Sequence, residues 1–182
     1  MGELVNSTYL SLDGVIEHPE TWPATGGFGE EGNRIQTELV EASSAVVMGR
    51  RTYESFAAVW PTLSGPLAEK MNAMPKYVAS TTLTDATWTN THLIDHNLET
   101  TVRQLKADAD GGLVQFGFGP VARTLMTAGL VDRLRLWLHP FFIGQGGLRD
   151  LLHRDAPEVT FALEDTVALD SGILVLDYRV KS

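Results

Sequence analysis

Three short segments carry the residue types that grip phosphate. Gly49-Arg50-Arg51-Thr52 follows the apolar run Ala45-Val46-Val47-Met48 and opens a helical stretch. Two fixed cations and a hydroxyl at a helix start suit a polyanion, because guanidinium groups hold phosphate oxygens in pairs. The plainer alternative is a solvated basic pair that happens to begin a helix. Phe116-Gly117-Phe118-Gly119-Pro120-Val121-Ala122 passes from a strand through a glycine turn into a helix. A helix start offers unpaired N–H groups and partial positive charge to an anion, and the string fits the dinucleotide pattern G-x-G-x-x-A. It also serves as an ordinary strand-to-helix turn. A Rossmann unit carries an acid roughly 20 residues further on, where this chain has His139-Pro140-Phe141-Phe142-Ile143, so a standard Rossmann fold is disfavoured. Ser80-Thr81-Thr82 closes a third apolar segment, and its hydroxyls suit phosphate, ribose or simply the turn.

Other chemistries find little support. The chain has no cysteine, which excludes disulfides, thiolate metal sites and cysteine nucleophiles. No H-E-x-x-H or G-x-S-x-G occurs. His92 and His96 lie across a strand end rather than on one helical face, so no metal site is expected. Of the four tryptophans, Trp22 stands apart, because it lies in the long glycine- and proline-rich stretch from His18 to Gly32. A long loop in a compact domain is often functional, and Trp22 is expected to act there as a lid.

The elements that must position these residues are legible from periodicity. Leu4 to Leu10 reads as a strand, closed by a turn at Ser11-Leu12-Asp13-Gly14. Ile35, Leu39 and Ala42 recur at helical spacing, predicting a helix over Arg34 to Ser43. Lys76–Ala79, Thr91–Ile94 and Leu113–Phe116 are short strands. Helices are predicted from Leu98 to Ala109 and from Pro120, a favoured first helical residue. Leu134 to Ile143 reads as one long strand. Val159 to Leu169 and Ile173 to Val180 form a hairpin around Asp170-Ser171-Gly172. Helices alternating with apolar strands predict a mixed-sheet, three-layer α/β domain, mainly parallel with an antiparallel edge. Ligands of such sheets sit outside the carboxyl ends of the strands, and all three phosphate-type segments fall there.

With 182 residues the chain fits one domain. Fourteen basic against 23 acidic residues give a net charge of −9, which repels phosphate backbones and argues against nucleic acid as a partner. No apolar run approaches the roughly 20 residues of a membrane span, and no basic-then-apolar leader is seen, so a cytoplasmic protein is expected. Leu134, Leu136 and Leu138 alternate with Arg135, Trp137 and His139, and Phe141-Phe142-Ile143 follows. Such apolar surface marks either a deep strand or an interface, and twofold closure makes a homodimer the expected assembly.

Taken in order, six segments resemble the dihydrofolate reductase-like superfamily: Ser11–Ile16, Met48–Glu54, Lys76–Ser80, Phe116–Gly119, Gly129–Leu134, and Pro140 with Gly144-Gln145-Gly146-Gly147. The chain is most similar to the reductase (RibD C-terminal) domain of the bifunctional riboflavin-biosynthesis enzyme and its stand-alone bacterial relatives. The resemblance implies a three-layer fold on a mostly parallel sheet of about eight strands and a bound NADPH. It implies that Gly49, Arg50, Arg51 and Thr52 hold the adenine-side phosphates, with Arg50 on the 2′-phosphate. Ser80 and Thr81 would contact the ribose phosphate, and Gly117, Phe118, Gly119, Pro120 and Val121 would cover the pyrophosphate and nicotinamide. Asp13, Gly14, Ile16 and Trp22 would wall the substrate pocket. Folate reductases carry a carboxylate on the first helix. Asn33 stands at that spacing here, which leaves Asp13 and Glu38 as catalytic candidates. The implied activity is hydride transfer from NADPH to a small pterin-like or flavin-precursor-like heterocycle. A cofactor-binding module without catalysis is the alternative.

Overall fold

Six parallel strands and one antiparallel hairpin form a single sheet in the computed structural model, which describes residues 2–145, 147 and 150–181. The strands are β1 (Leu4–Ser11), β2 (Ser43–Gly49), β3 (Lys76–Ala79), β4 (Thr91–Ile94), β5 (Gly112–Phe116), β6 (Arg133–His139), β7 (Phe161–Ala168) and β8 (Leu174–Val180). Their order across the sheet is β4-β3-β2-β5-β1-β6-β8-β7. β8 runs antiparallel to both β6 and β7. Five helices cover the faces: α1 (Gly29–Glu41), α2 (Arg50–Val59), α3 (Pro66–Ala73), α4 (Leu98–Asp108) and α5 (Pro120–Thr127). The mostly parallel sheet, the terminal hairpin and the helix layers match the dihydrofolate reductase-like architecture expected from the sequence.

Strand β2 shows why the parallel strands read as unbroken apolar runs. Ala45 and Val47 pack on one face with Leu113, Val102, Ala122 and Leu125. Val46 and Met48 pack on the other with Leu39, Tyr53, Met71 and Val78. Both faces are dry, so no polar alternation is required. A third cluster, Ile35, Trp137, Leu169, Ile173 and Val175, lies under the start of α1.

Two boundaries differ from the sequence reading by several residues. Helix α1 begins at Gly29, inside the stretch expected to be loop. Glu30 and Glu31 in its first turn favour the positive helix end, and Arg34 pairs with Glu31 and Glu38 one turn away on either side. Charge placement thus outweighs the poor propensity of the glycines. Strand β6 ends at His139, because Pro140 has no amide for the ladder and the chain turns back with Phe141 N–H donating to His139 O at 2.9 Å. β6 lies between β1 and β8, with Leu134 and Leu136 buried on one face and Trp137 on the other. Residues Leu134 to Leu138 are therefore an inner strand, the deep-strand alternative of the sequence reading. Gly146 of the Gly144–Gly147 motif lies outside the described residues.

Candidate functional site

All six parallel strands end at one edge of the sheet, and the phosphate-type segments meet there. β2 and β5 are neighbours, so their glycine turns stand side by side. A Cβ on Gly49 would lie 3.2 Å from Val121 Cγ2, and one on Gly117 would lie 3.6 Å from Thr52 Oγ1. Gly117 adopts φ +76°, a region side chains rarely enter, whereas a Cβ on Gly119 would meet nothing within 4 Å. The space beside Gly119 is thus an open cradle in front of α5. The first α5 residue has no amide hydrogen, and the Arg123 N–H already bonds Gly119 O at 3.1 Å. The amides between them face the cradle side of the helix start.

Phe118 stands between the two glycines of the turn. It avoids positive φ, which Gly117 takes instead, and its ring is buried in the α5-side core. Only its backbone is available to a ligand, so Phe118 and the buried Ile16, which joins the same cluster, present no side-chain face to the groove. A polar chain inside the sheet steadies the turn. Thr8 Oγ1 donates to Asn6 Oδ1 at 2.8 Å, and Asn6 Nδ2 donates to Gln115 Oε1 at 3.2 Å and to Gly117 O at 2.8 Å. Asn6 and Thr8 are fully buried in the central strand. Their polarity inside an apolar run was the signal that sequence reasoning passed over.

The two arginines diverge. Arg50 donates from Nε to Glu54 at 2.7 Å and from Nη1 to Thr82 Oγ1 at 2.8 Å, which ties α2 to the turn after β3. Arg51 reaches the other way and donates to Glu17 Oε2 at 3.2 Å. Since β5 lies between β2 and β1, this pair spans the glycine turn. Ser80 Oγ accepts from the amides of Thr82 and Leu83, so its hydroxyl holds the turn, while Thr81 is exposed. Beside that turn a cleft of about 380 Å³ opens between residues 79–82 and 94–98.

The catalytic candidates fare differently. Asp13 accepts from Ser11 Oγ (2.5 Å), Ile143 N (3.1 Å) and Gly144 N (2.8 Å). These donors, the Ser11 hydroxyl first, hold its carboxyl down to about 2. Asp13 is therefore a charged staple between the β1 turn and the chain after β6, and it has no proton to donate near neutral pH. Gly14, at φ +85°, completes that turn. Glu38 is a correction. α1 runs back toward the amino ends of the strands, so Glu38, in its penultimate turn, is paired with Arg34 and lines a concavity of about 670 Å³ at the far edge with Gly2, Gly112 and Arg133. It cannot reach the groove. Asn33, at the position where folate reductases carry the α1 carboxylate, is exposed.

Trp22 is placed near the expected pocket. Its Nε1 donates to Glu17 O at 3.0 Å, and its ring stands edge-on to His139 at 5.3 Å and to Phe141 at 5.7 Å. His139, at the end of β6, was passed over in the sequence because it lacks metal spacing. Only its neighbours in the fold mark it out.

An open, mostly parallel sheet with flanking helices and an antiparallel terminal hairpin defines an α/β protein of the dihydrofolate reductase-like class. Within that class the chain belongs to the RibD C-terminal domain family, which matches residues 4–175. That family is a reductase domain, and its members typically use a nucleotide cofactor. The chain is 23% identical over 148 residues to the uncharacterized protein YyaP of Bacillus subtilis, covering 79% of this chain and 77% of that one. Its fold is similar to a putative riboflavin biosynthesis protein from Shewanella sp. PV-4 (TM-score 0.77, 17% identity, 99% of both chains). It is also similar to a pyrimidine reductase-like protein from Corynebacterium diphtheriae (TM-score 0.68, 15% identity, 100% of this chain and 92% of that one). Acinetobacter baumannii RibD shows the same fold over 59% of its chain (TM-score 0.67, 15% identity, 100% of this chain). No helix among the described residues is long and apolar enough to cross a membrane.

Proposed function

We propose that the protein is an NADPH-dependent reductase that transfers hydride to a small pterin-like or flavin-precursor-like heterocycle. One observation carries this reading: the Gly49–Thr52 segment and the Gly117–Val121 turn stand side by side, with an open cradle at Gly119. The residues fit the group. Arg50 and Arg51 supply two cations, Thr52 and Thr81 supply hydroxyls, and the amides at the start of α5 supply donors for a pyrophosphate. When bound, NADPH supplies the hydride, and the protein supplies orientation and electrostatics. Arg50, already held by Glu54 and Thr82, sets a fixed cation for the 2′-phosphate. Gly119 lets the pyrophosphate approach the backbone. Asp13 fixes the loop at Ile143-Gly144 and so shapes the floor beside the β1 turn.

Asn33 in place of the folate-reductase carboxylate on α1 favours a second reading, a cofactor-binding module without turnover. Fluorescence titration with NADPH and NADH tests binding, and NADPH oxidation with pterin and flavin-precursor acceptors tests turnover. Saturable NADPH binding with oxidation by one acceptor class supports the reductase. Binding without oxidation supports the module, and failure to bind either nucleotide rejects both. We further propose a homodimer. Leu12 and Phe142 are 51% and 71% exposed on segments joined by the Leu12 N–H bond to Phe141 O, and such apolar surface favours association. A solution mass near the 19.9 kDa subunit would reject it.

A further inference from the structure

His139 is 7% exposed, and its Nε2 is buried without a hydrogen-bond partner among the described residues. Aromatic rings surround it: Tyr9 at 5.4 Å, Trp22 at 5.3 Å, Phe141 at 5.5 Å and Phe28 at 6.3 Å between centroids. A buried polar atom left unpaired costs about 1–3 kcal/mol, and native structures retain few of them without a reason. An imidazole buried among four rings with an unpaired nitrogen is a poor core residue and a good contact for a flat ligand with a polar edge.

The walls differ in how firmly they are held. Tyr9 and His139 sit on β1 and β6, the inner strands of the sheet, and Phe28 caps α1. The Tyr9 hydroxyl accepts from Gln36 Nε2 at 2.9 Å. Trp22 is different. It is only half-buried, and its indole N–H has one bond, to Glu17 O. It is joined to α1 through Gly26 and Gly27, both at positive φ with nothing within 4 Å of a Cβ. The Trp22 ring can leave without breaking the sheet or α1. His139 pairs in register with Ser11, one strand from the β1 turn and two from Gly117.

We propose that Trp22 occupies a ligand site, in which a flat, uncharged heteroaromatic ring replaces the indole against the aromatic walls and hydrogen-bonds His139 Nε2. Burial holds the imidazole below its ordinary titration range, so near neutral pH it is the uncharged ring, with one nitrogen donating and the other accepting. The Tyr9 phenol, pushed up to about 12 by burial, is uncharged as well. The site therefore selects neutral rings over anions. Placed beside the proposed nicotinamide position, it would seat the hydride acceptor, and that last step rests on the reductase reading above.

The test uses pterin and lumazine, two flat pteridines, titrated calorimetrically into the full chain without nucleotide. Binding is expected, about tenfold weaker in His139→Phe, near the upper end for one net hydrogen bond, and tighter in Trp22→Ala, where the occupying ring is gone. His139→Phe is expected to melt no lower than the parent, since it removes an unpaired polar atom and keeps the aromatic packing. Should that variant fail to fold, the imidazole nitrogen resonances of the parent decide, with Nε2 shifting on saturation. Equal affinity in folded His139→Phe, an unmoved Nε2 resonance, or no pteridine binding to either the parent or Trp22→Ala overturns the proposal. The parent chain separates this site from the reductase reading: pteridine binding by a parent that binds neither NADPH nor NADH supports this site and rejects that reading alone.

Discussion

The Arg51–Glu17 ion pair sets a measurable threshold for cofactor binding. If a cofactor phosphate takes Arg51, it must displace the Glu17 carboxylate, which sits 3.2 Å from Nη1. The Arg51 side chain is 71% exposed and that of Glu17 22% exposed, so water screens the pair. Exposed pairs of this kind contribute about 0.2–1 kcal/mol. Glu17→Gln removes the competing charge while leaving the Glu17 carbonyl to Trp22. NADPH should then bind about 1.5- to 5-fold tighter, from the same energies at about 1.4 kcal/mol per tenfold. The gain should shrink as salt is raised, because added ions weaken the lost pair. Fluorescence titration at low and high ionic strength reads both effects. Glu20→Gln is the control: it removes the same formal charge from a side chain that pairs with His18 instead. Unchanged or weaker binding in Glu17→Gln, or an equal gain in Glu20→Gln, would refute the competition for Arg51.

Arg50→Ala should weaken NADPH binding by about 1.5–3 kcal/mol, the range for hydrogen bonds to a charged group, and NADH binding far less; parallel titrations check this, and equal losses would remove Arg50 from the 2′-phosphate. Gly119→Val should abolish nucleotide binding with the melting temperature kept, since a Cβ there meets nothing within 4 Å, whereas Gly117→Val should also cost about 1–3 kcal/mol of stability because its φ is +76°. Denaturant titration separates the two. Lys76 Nζ donates to the carbonyls of Asn72, Met74 and Thr89, so Lys76→Met should destabilise the fold by about 1–3 kcal/mol or more as buried acceptors lose their donor. Asp13 titrates near 2 in the fold against an ordinary value of 3.8. Its contribution is therefore fully present above 3.8 and lost as pH falls through about 2, and Asp13→Asn should flatten the acid limb of the stability curve in that window.

Much of the architecture was legible because short-range physics sets it. β3 and β4 begin and end where the sequence placed them, since short segments bounded by turn residues leave little choice. Pro120 and the glycines around it located the start of α5, because fixed φ and positive φ are local properties. The phosphate-type segments were found for the same reason: cations, hydroxyls and glycines at strand ends are visible without contacts. What the sequence by itself could not determine depended on which strands lie side by side and which way a helix points. Glu38 had the right chemistry, but the direction of α1 carries it to the opposite edge. Leu134 to Leu138 carried the alternation of a surface strand with one apolar face, yet β1 and β8 pair with both its edges, and Leu134, Leu136 and Trp137 are buried on its two faces. Phe118 was read as a residue over the cofactor, but its ring entered the core while Gly117 took the positive φ. His139 had no motif at all. Its isolation became visible only when rings from β1, the loop before α1, the cap of α1 and the turn after β6 closed around it. Periodicity and turn chemistry act over a few residues, whereas the desolvation and pairing of a side chain depend on segments more than a hundred residues apart, such as Tyr9 and His139, and only the tertiary structure brings those together.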